Sequence, residues 1–268
     1  MSFSKEVIES PIKKYISWNG SKGYFYYWDK EAINTETGEE GLEVIMPEKF
    51  QVIPLDITKY VGGHNEATNK PIRSNEVRHM GQPLEVKTSA GIHIATGVWK
   101  EIGDAVKANG GSFGNNVYCL YLSATPEIVC LKIVGSAMQG LMNAKDKKTA
   151  SFKIANNQHV LTCGIDSEVF KKGNVLYRVP TFIEKKFPVI DAMSEKQKTL
   201  YDAAYDADLV LQAFLDDKFS NKADVAQPAA TPISAPPMDL SSNAPLNAPS
   251  PAKAPVPSSD NDTDDLPF

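Results

Sequence analysis

The chain has 268 residues, 42% of them hydrophobic and 23% charged, which is ordinary globular composition with room for one or two domains. No apolar run approaches the ~18 residues of a membrane helix. The start, Met1-Ser2-Phe3-Ser4-Lys5-Glu6, has no apolar signal core, so a cytoplasmic protein with no membrane attachment is expected. The net charge of −5 conceals an asymmetry: residues 1–190 carry +3, residues 191–218 carry −4 and residues 219–268 carry −4. A mildly basic body with an acidic C-terminal third is suited to meeting a polyanion.

Taken in chain order, the body reads as mostly β. Lys22 to Trp28 is an aromatic strand. Alternation puts Lys22, Tyr24, Tyr26 and Trp28 on one face and Phe25 and Tyr27 on the other. Both faces are aromatic, so one belongs to the core; the amphipathic set of four is assigned to a binding groove. Leu42 to Met46 and Lys49 to Tyr60 predict two more strands, separated by Pro47. A loop is predicted over 61–71, then strands near Ile72–Met80 and Leu84–Ala95. Thr96 is expected to cap a short helix with Val98, Ile102, Ala105 and Val106 on its apolar face, ended by Gly110-Gly111. Strands at Val117–Ser123 and Glu127–Val134 are predicted next, joined by a turn at Ala124-Thr125-Pro126. A helix at Ser136–Ala144 and strands near Thr149–Cys163 and Asn174–Glu184 complete the body.

Ser194 to Phe219 predicts a helix. Leu200, Ala204, Ala207, Leu211, Phe214 and Leu215 form one apolar stripe, with Ser194 as N-cap. Its aspartates form a solvated face rather than a catalytic pair. From Ser220 periodicity stops, and ten of the 18 prolines lie between Pro228 and Pro267. Such a segment buries too little apolar area to offset its ordering entropy, so 220–259 is expected to be a disordered linker. It ends in Asp260-Asn261-Asp262-Thr263-Asp264-Asp265-Leu266-Pro267-Phe268. A terminal ring, its carboxylate and the aspartates can meet an apolar pocket with a basic rim.

The order over Lys49–Val134 is strand, strand, strand, helix, strand, strand. That is the connectivity of the OB-fold, a five-stranded partly open barrel that binds along strands two and three and the neighbouring loops. The expected fold class is therefore mainly β (α+β), an OB-fold-like barrel with additional strands, a C-terminal helix and a disordered acidic tail. Residues 1–219 are the domain, 220–259 the linker and 260–268 a partner-binding tip. Single strands are held by a positive groove with aromatic platforms. On this barrel Lys59, Tyr60, His64 and Lys70 fall in or beside the first long loop. Arg73, Arg78 and His79 fall on the second strand and Lys87 on the third. The Lys145–Lys153 run and the dipeptides Lys171-Lys172 and Lys185-Lys186 are secondary candidates.

The terminal Asp-Asp-Leu-Pro-Phe resembles the C-terminal tip of bacterial and phage single-stranded DNA-binding proteins. It departs from their pattern in having Leu266 where Ile is usual, and in the interruptions at Asn261 and Thr263. Ser74-Asn75-Glu76-Val77, Gly97-Val98-Trp99-Lys100-Glu101-Ile102 and Val117-Tyr118 resemble segments of phage members of that family. The resemblance implies a protein that coats single-stranded DNA in replication, recombination or repair, in a bacterial cell or phage-infected host. It also implies recruitment of polymerase-, helicase-, primase- or nuclease-type partners through Asp262, Asp264, Asp265, Leu266, Pro267 and Phe268. It leaves homo-oligomer formation open. The alternatives are an RNA-binding or chaperone-like OB protein, a replication adaptor whose body binds protein, and a nuclease, for which Asp56, Glu66 and Glu76 are candidates only by default.

Enzyme signals are missing from the sequence. There is no phosphate loop, and Gly110-Gly111-Ser112-Phe113-Gly114 comes after a helix instead of opening one. There is no Gly-x-Ser-x-Gly elbow. His64, His79, His93 and His159 have no metal spacing, and Cys119, Cys130 and Cys163 are isolated, so no metal, cofactor or disulfide is expected. Each thiol is read as a small buried apolar group.

Overall fold

The computed structural model describes residues 8–33, 38, 40–143, 159–172, 174–188 and 190–223. The expected tip, the linker beyond residue 223 and the Lys145–Lys153 run lie outside the described residues.

The body is mainly β. The strands are β1 (Lys14–Asn19), β2 (Tyr24–Ile33), β3 (Glu40–Ile45), β4 (Lys49–Asn65), β5 (Lys70–Ser74), β6 (Leu84–Thr88) and β7 (His93–Gly97). Helix α1 (Trp99–Ala108) precedes β8 (Gly111–Tyr121) and β9 (Glu127–Val134). Then come α2 (Ser136–Asn143), β10 (His159–Lys172), β11 (Val175–Lys186), a 3-10 turn (Ile190–Ala192) and α3 (Glu195–Ala223). The strands form one curled sheet in the order β3-β2-β1-β9-β8-β4-β5-β6-β7, with β10 pairing to β4 and β11 pairing to β10.

β4 is the spine of the sheet. It pairs with β8 along most of its length, with β5 at its C-terminal end and with β10 at its N-terminal end. A central strand tolerates Pro poorly because the ladder loses a donor. Here Pro54 sits at a bulge between Pro54 and Asp56, which absorbs the missing N–H. Pro180 lies in β11, whose pairing runs to β10 alone among the described strands, so an edge position accommodates it.

The two faces of the sheet bury different clusters. One face holds Ile16, Phe25, Phe50, Val52, Val117, Val129, Leu131 and Ile133, closed by Ala137 and Leu141 of α2 and by Phe182 of β11. The same face continues past the β4 bulge into Val61, Ile72, Val77, Leu84 and Val86, covered by Ile102 and Val106 of α1. The other face buries Ile53, Leu55, Tyr118, Leu120 and Cys130 under Ala204, Leu211 and Leu215 of α3. The three cysteines are buried, and burial pushes their thiols up in pKa, as small apolar residues of a core.

The stripe predicted for α3 is the one that packs. Its start is a capping box: the Gln197 amide N–H donates to Ser194 Oγ (3.4 Å), and the Ser194 amide N–H donates to Gln197 Oε1 (2.9 Å). The helix runs to Ala223 rather than stopping at Phe219.

Several expectations need correction. β1 was not anticipated. Residues 61–65 continue β4, because Gly62 and Gly63 let the backbone pair closely with β5 and β8. The single strand expected over 84–95 is a hairpin, β6 and β7, turned at Gly91 with φ +84°. The strand expected over 72–80 ends at Ser74, and Val77 adds only an isolated bridge to Lys59, so Arg78 and His79 lie in a turn. Thr96 is the last-but-one residue of β7, and the α1 cap is Val98 with no side-chain bond. Ala105 is exposed; Gly103 takes its place on the buried face. Gly111 to Gly114 belong to β8 rather than to a turn.

Candidate nucleic-acid interface

Register decides which side chains share a face, because residues directly opposite in a ladder point the same way. Tyr26 pairs with Ser17, and Ser17 pairs with Lys132 of β9. Lys132 pairs with Asn116 of β8, and Asn116 with Thr58 of β4. Two residues on, Tyr60 pairs with Gly114. Gly62 then pairs with Arg73, Arg73 with Lys87 and Lys87 with His93. All of these lie on the face opposite Phe25, Val117 and Ile72. Beside the part covered by α3, one surface thus collects Trp28, Tyr26, Tyr24, Tyr15, Lys132, Tyr60, Arg73 and Lys87 across several strands.

The rings are placed by glycines. Trp28 is 58% exposed and lies against Gly41, where a Cβ would come within 2.6 Å of the indole. Tyr60 lies over both Gly62 and Gly114, where a Cβ would come within 2.9 and 2.8 Å of its ring. A side chain at these glycines would lift the ring off the sheet. Glycine opposite an aromatic therefore lets the ring lie flat, with its outer side available.

Cations accompany the rings. Lys132 Nζ stands 5.3 Å from the centre of the Tyr15 ring and 5.9 Å from that of Tyr60, a charge held between two aromatic walls. Lys22 Nζ stands 5.7 Å from the Tyr24 ring, in the turn between β1 and β2. Tyr24 and Tyr26 meet edge to face at 6.2 Å, and the Tyr24 hydroxyl donates to Glu43 at 2.6 Å. Burial raises the Tyr26 phenol pKa, as it does for Tyr15 and Tyr60, so all three rings stay neutral. Tyr15 is 46% exposed.

The residues anticipated from the sequence divide between the two sides of the sheet. Lys22, Tyr24, Tyr26 and Trp28 are on the outer face, while Phe25 is core and Tyr27 packs against it. Lys59 lies within β4 on the opposite side from Tyr60, and its Nζ donates to Asn115 Oδ1 at 2.8 Å. Lys70 and Arg73 are exposed on β5. Lys87, on β6, pairs with Glu85 at 2.6 Å, both half exposed.

Arg78 has a structural engagement. Its guanidinium donates to Asp216 at 2.6 Å and Asp56 at 3.4 Å, and stands 5.0 Å from the Phe219 ring, so it ties α3 to the sheet. Beside it Glu76 accepts from Thr58, Tyr118 and Lys218. Burial alone would raise the Glu76 pKa, but these donors and the Lys218 charge hold it below the usual carboxylate value.

Tyr15 and Lys132 were missed in the sequence. A signal existed for Lys132, a lone charge inside Cys130-Leu131-Lys132-Ile133-Val134, where an alternating strand must expose one side. Tyr15 carries a weaker signal in the alternation of Tyr15, Ser17 and Asn19 with Ile16 and Trp18. Among the described residues, no group of three or more His, Cys, Asp or Glu side chains is placed to hold a metal ion. Nor, among them, is any helix long and apolar enough to cross a membrane. No protein-family model matches the chain, and neither a curated protein nor a solved structure does.

Proposed function

We propose that this protein binds single-stranded DNA stoichiometrically and without catalysis. It coats exposed strands in replication, recombination or repair, and recruits partner enzymes through its C-terminal tip. The observation that carries the reading is the ring-and-cation face. Trp28, Tyr26, Tyr24 and Tyr15 offer stacking surfaces, and Lys22, Lys132, Arg73 and Lys87 lie among or beyond them on the same side of the sheet. Bases stack on such rings without regard to sequence, at about 1–3 kcal/mol each, while lysines and arginines meet phosphates and release counterions.

The OB-fold assignment belongs to the same proposal. β4 to β9 carry one strand more than the OB order, because β6 and β7 both precede α1; what supports the assignment is the pairing of β4 with β5 and β8. Closure in that region is unconventional: β9 pairs in parallel with β1, drawn from ahead of the ordered segment. In this reading β1 extends the binding face and contributes Tyr15. The tip, Asp262 to Phe268, acts as a tethered ligand for replication and repair proteins of a bacterial cell or phage-infected host.

The deciding experiment is the mobility shift of a labelled oligo(dT) by the full chain at low salt. A shift that weakens as salt rises is expected; no shift at micromolar protein would overturn the proposal and favour an adaptor. Competition by an equal-length RNA separates DNA from RNA preference, and incubation with magnesium tests for cleavage.

A further inference from the structure

We infer that the end of the β10–β11 hairpin is a second contact for the same nucleic-acid strand, an arm that extends the sheet-face site past the β1–β2 turn. The inference rests on the single-strand reading of that face.

β10 pairs with β4 only over Leu161 to Gly164. Beyond a bulge between Ile165 and Val169, the described pairing of β10 and β11 is to each other alone, through Val169↔Arg178, Phe170↔Tyr177 and Lys171↔Leu176. A two-stranded ribbon with no third strand is marginal by itself in water. It nevertheless carries exposed apolar groups, Val169 at 47% and Leu176 at 58%, and a stacked ring pair. Phe170 and Tyr177 lie with centroids 5.7 Å apart and planes at 25°.

The base of the arm is fastened to the end of the ring face. Arg178 N–H donates to the Gly20 carbonyl at 2.8 Å, and Trp18 Nε1 donates to the Arg178 carbonyl at 3.0 Å. Arg178 Nη1 donates to the Lys22 carbonyl at 3.4 Å. Its side chain fills the space over Gly23, where a Cβ would come within 2.4 Å. Lys22, whose ammonium stands at the Tyr24 ring, is thus in direct contact with the residue next to Tyr177 of the stacked pair. Exposed Lys171 adds a cation on the arm. Phe170 and Tyr177 share one face of the ribbon and Lys171 and Arg178 the other. A ring pair with Lys22 and Arg178 at its base and Lys171 beyond it offers a strand a stacking surface flanked by cations for its phosphates. Carboxylates on the arm and on the strand beside Tyr24 include Glu168 and Glu43, the latter accepting from the Tyr24 hydroxyl.

The test uses the full chain with oligo(dT) of about 6 to about 20 nucleotides, spanning the site sizes of such domains. For the unsubstituted chain, affinity should rise through this range. F170A/Y177A should bind the shortest oligonucleotide within about twofold of normal and lose about tenfold on the longest, the scale of one lost stacking contact. Lys171→Glu should lower the salt slope by about 0.7 on the longest oligonucleotide only. Thermal melts and the mass of each variant in solution are recorded alongside.

An unchanged length dependence in both variants overturns the arm and leaves the function standing. So does an equal loss at every length, or a change of oligomeric mass with length dependence kept, which would make the arm a contact between copies. If the unsubstituted chain binds no oligonucleotide, the functional reading falls first and the arm with it.

Discussion

Glu76 shows how much one side chain can hold together. It is a carboxylate with little access to water, bound by Thr58 of β4, Tyr118 of β8 and Lys218 of α3. Its folded pKa lies below its unfolded one, so its contribution to stability is fully present above the unfolded value of about 4.3 and is lost as pH falls through the folded value. Urea midpoints measured from pH 7 to pH 3 should therefore fall on acidification. Glu76→Gln should be less stable at pH 7 by about 1–3 kcal/mol and show a shallower fall; an identical acid limb would remove Glu76 as its source. At the same scale, Trp28→Ala and Tyr15→Ala should each weaken oligo(dT) binding by about 1–3 kcal/mol, seen in fluorescence titration. Trp28 is 58% exposed, so its variant should melt near the parent temperature.

At the scale of elements, α3 is the informative case. Ala204, Leu211 and Leu215 face the sheet, and the Arg78–Asp216 and Glu76–Lys218 pairs close the C-terminal end. Leu211→Ala should destabilise the fold by about 2–5 kcal/mol in denaturant unfolding, as expected for a fully buried leucine. Ser194→Ala should cost about 0.5–2 kcal/mol through the lost cap. The helix was legible because its period and its cap are local. The site was legible in part. The face of β2 could be assigned because alternation settles it once Phe25 is known to be core. The neighbours of Arg78 predict a strand, because nothing local announces that Asp216, 138 residues later, claims its guanidinium. Tyr15 and Lys132 meet only because β1 pairs in parallel with β9, a contact between strands more than a hundred residues apart.

For the whole molecule, the opposed charges of body and C-terminal third make a prediction. On the proposed function, deleting 260–268 should tighten oligo(dT) binding at low salt by removing an acidic competitor of phosphate, and the difference should fade as salt rises. Titrations at two salt concentrations read both effects; equal or weaker binding by the truncated chain at low salt would remove the competition.

Composition, alternation and helical period determined what depends on near neighbours. They determined that the body is mainly β, where most strands and the three helices lie, that the thiols are buried, and which residues of β2 look outward. The tertiary structure decided what depends on distant pairing: a curled sheet of eleven strands among the described residues, the hairpin between β6 and β7, the role of Arg78, and the company of Tyr15, Lys132 and Tyr60 on one face. Side-chain period is written into consecutive residues. Strand order and register are set by how the buried clusters close, which no short window of sequence contains.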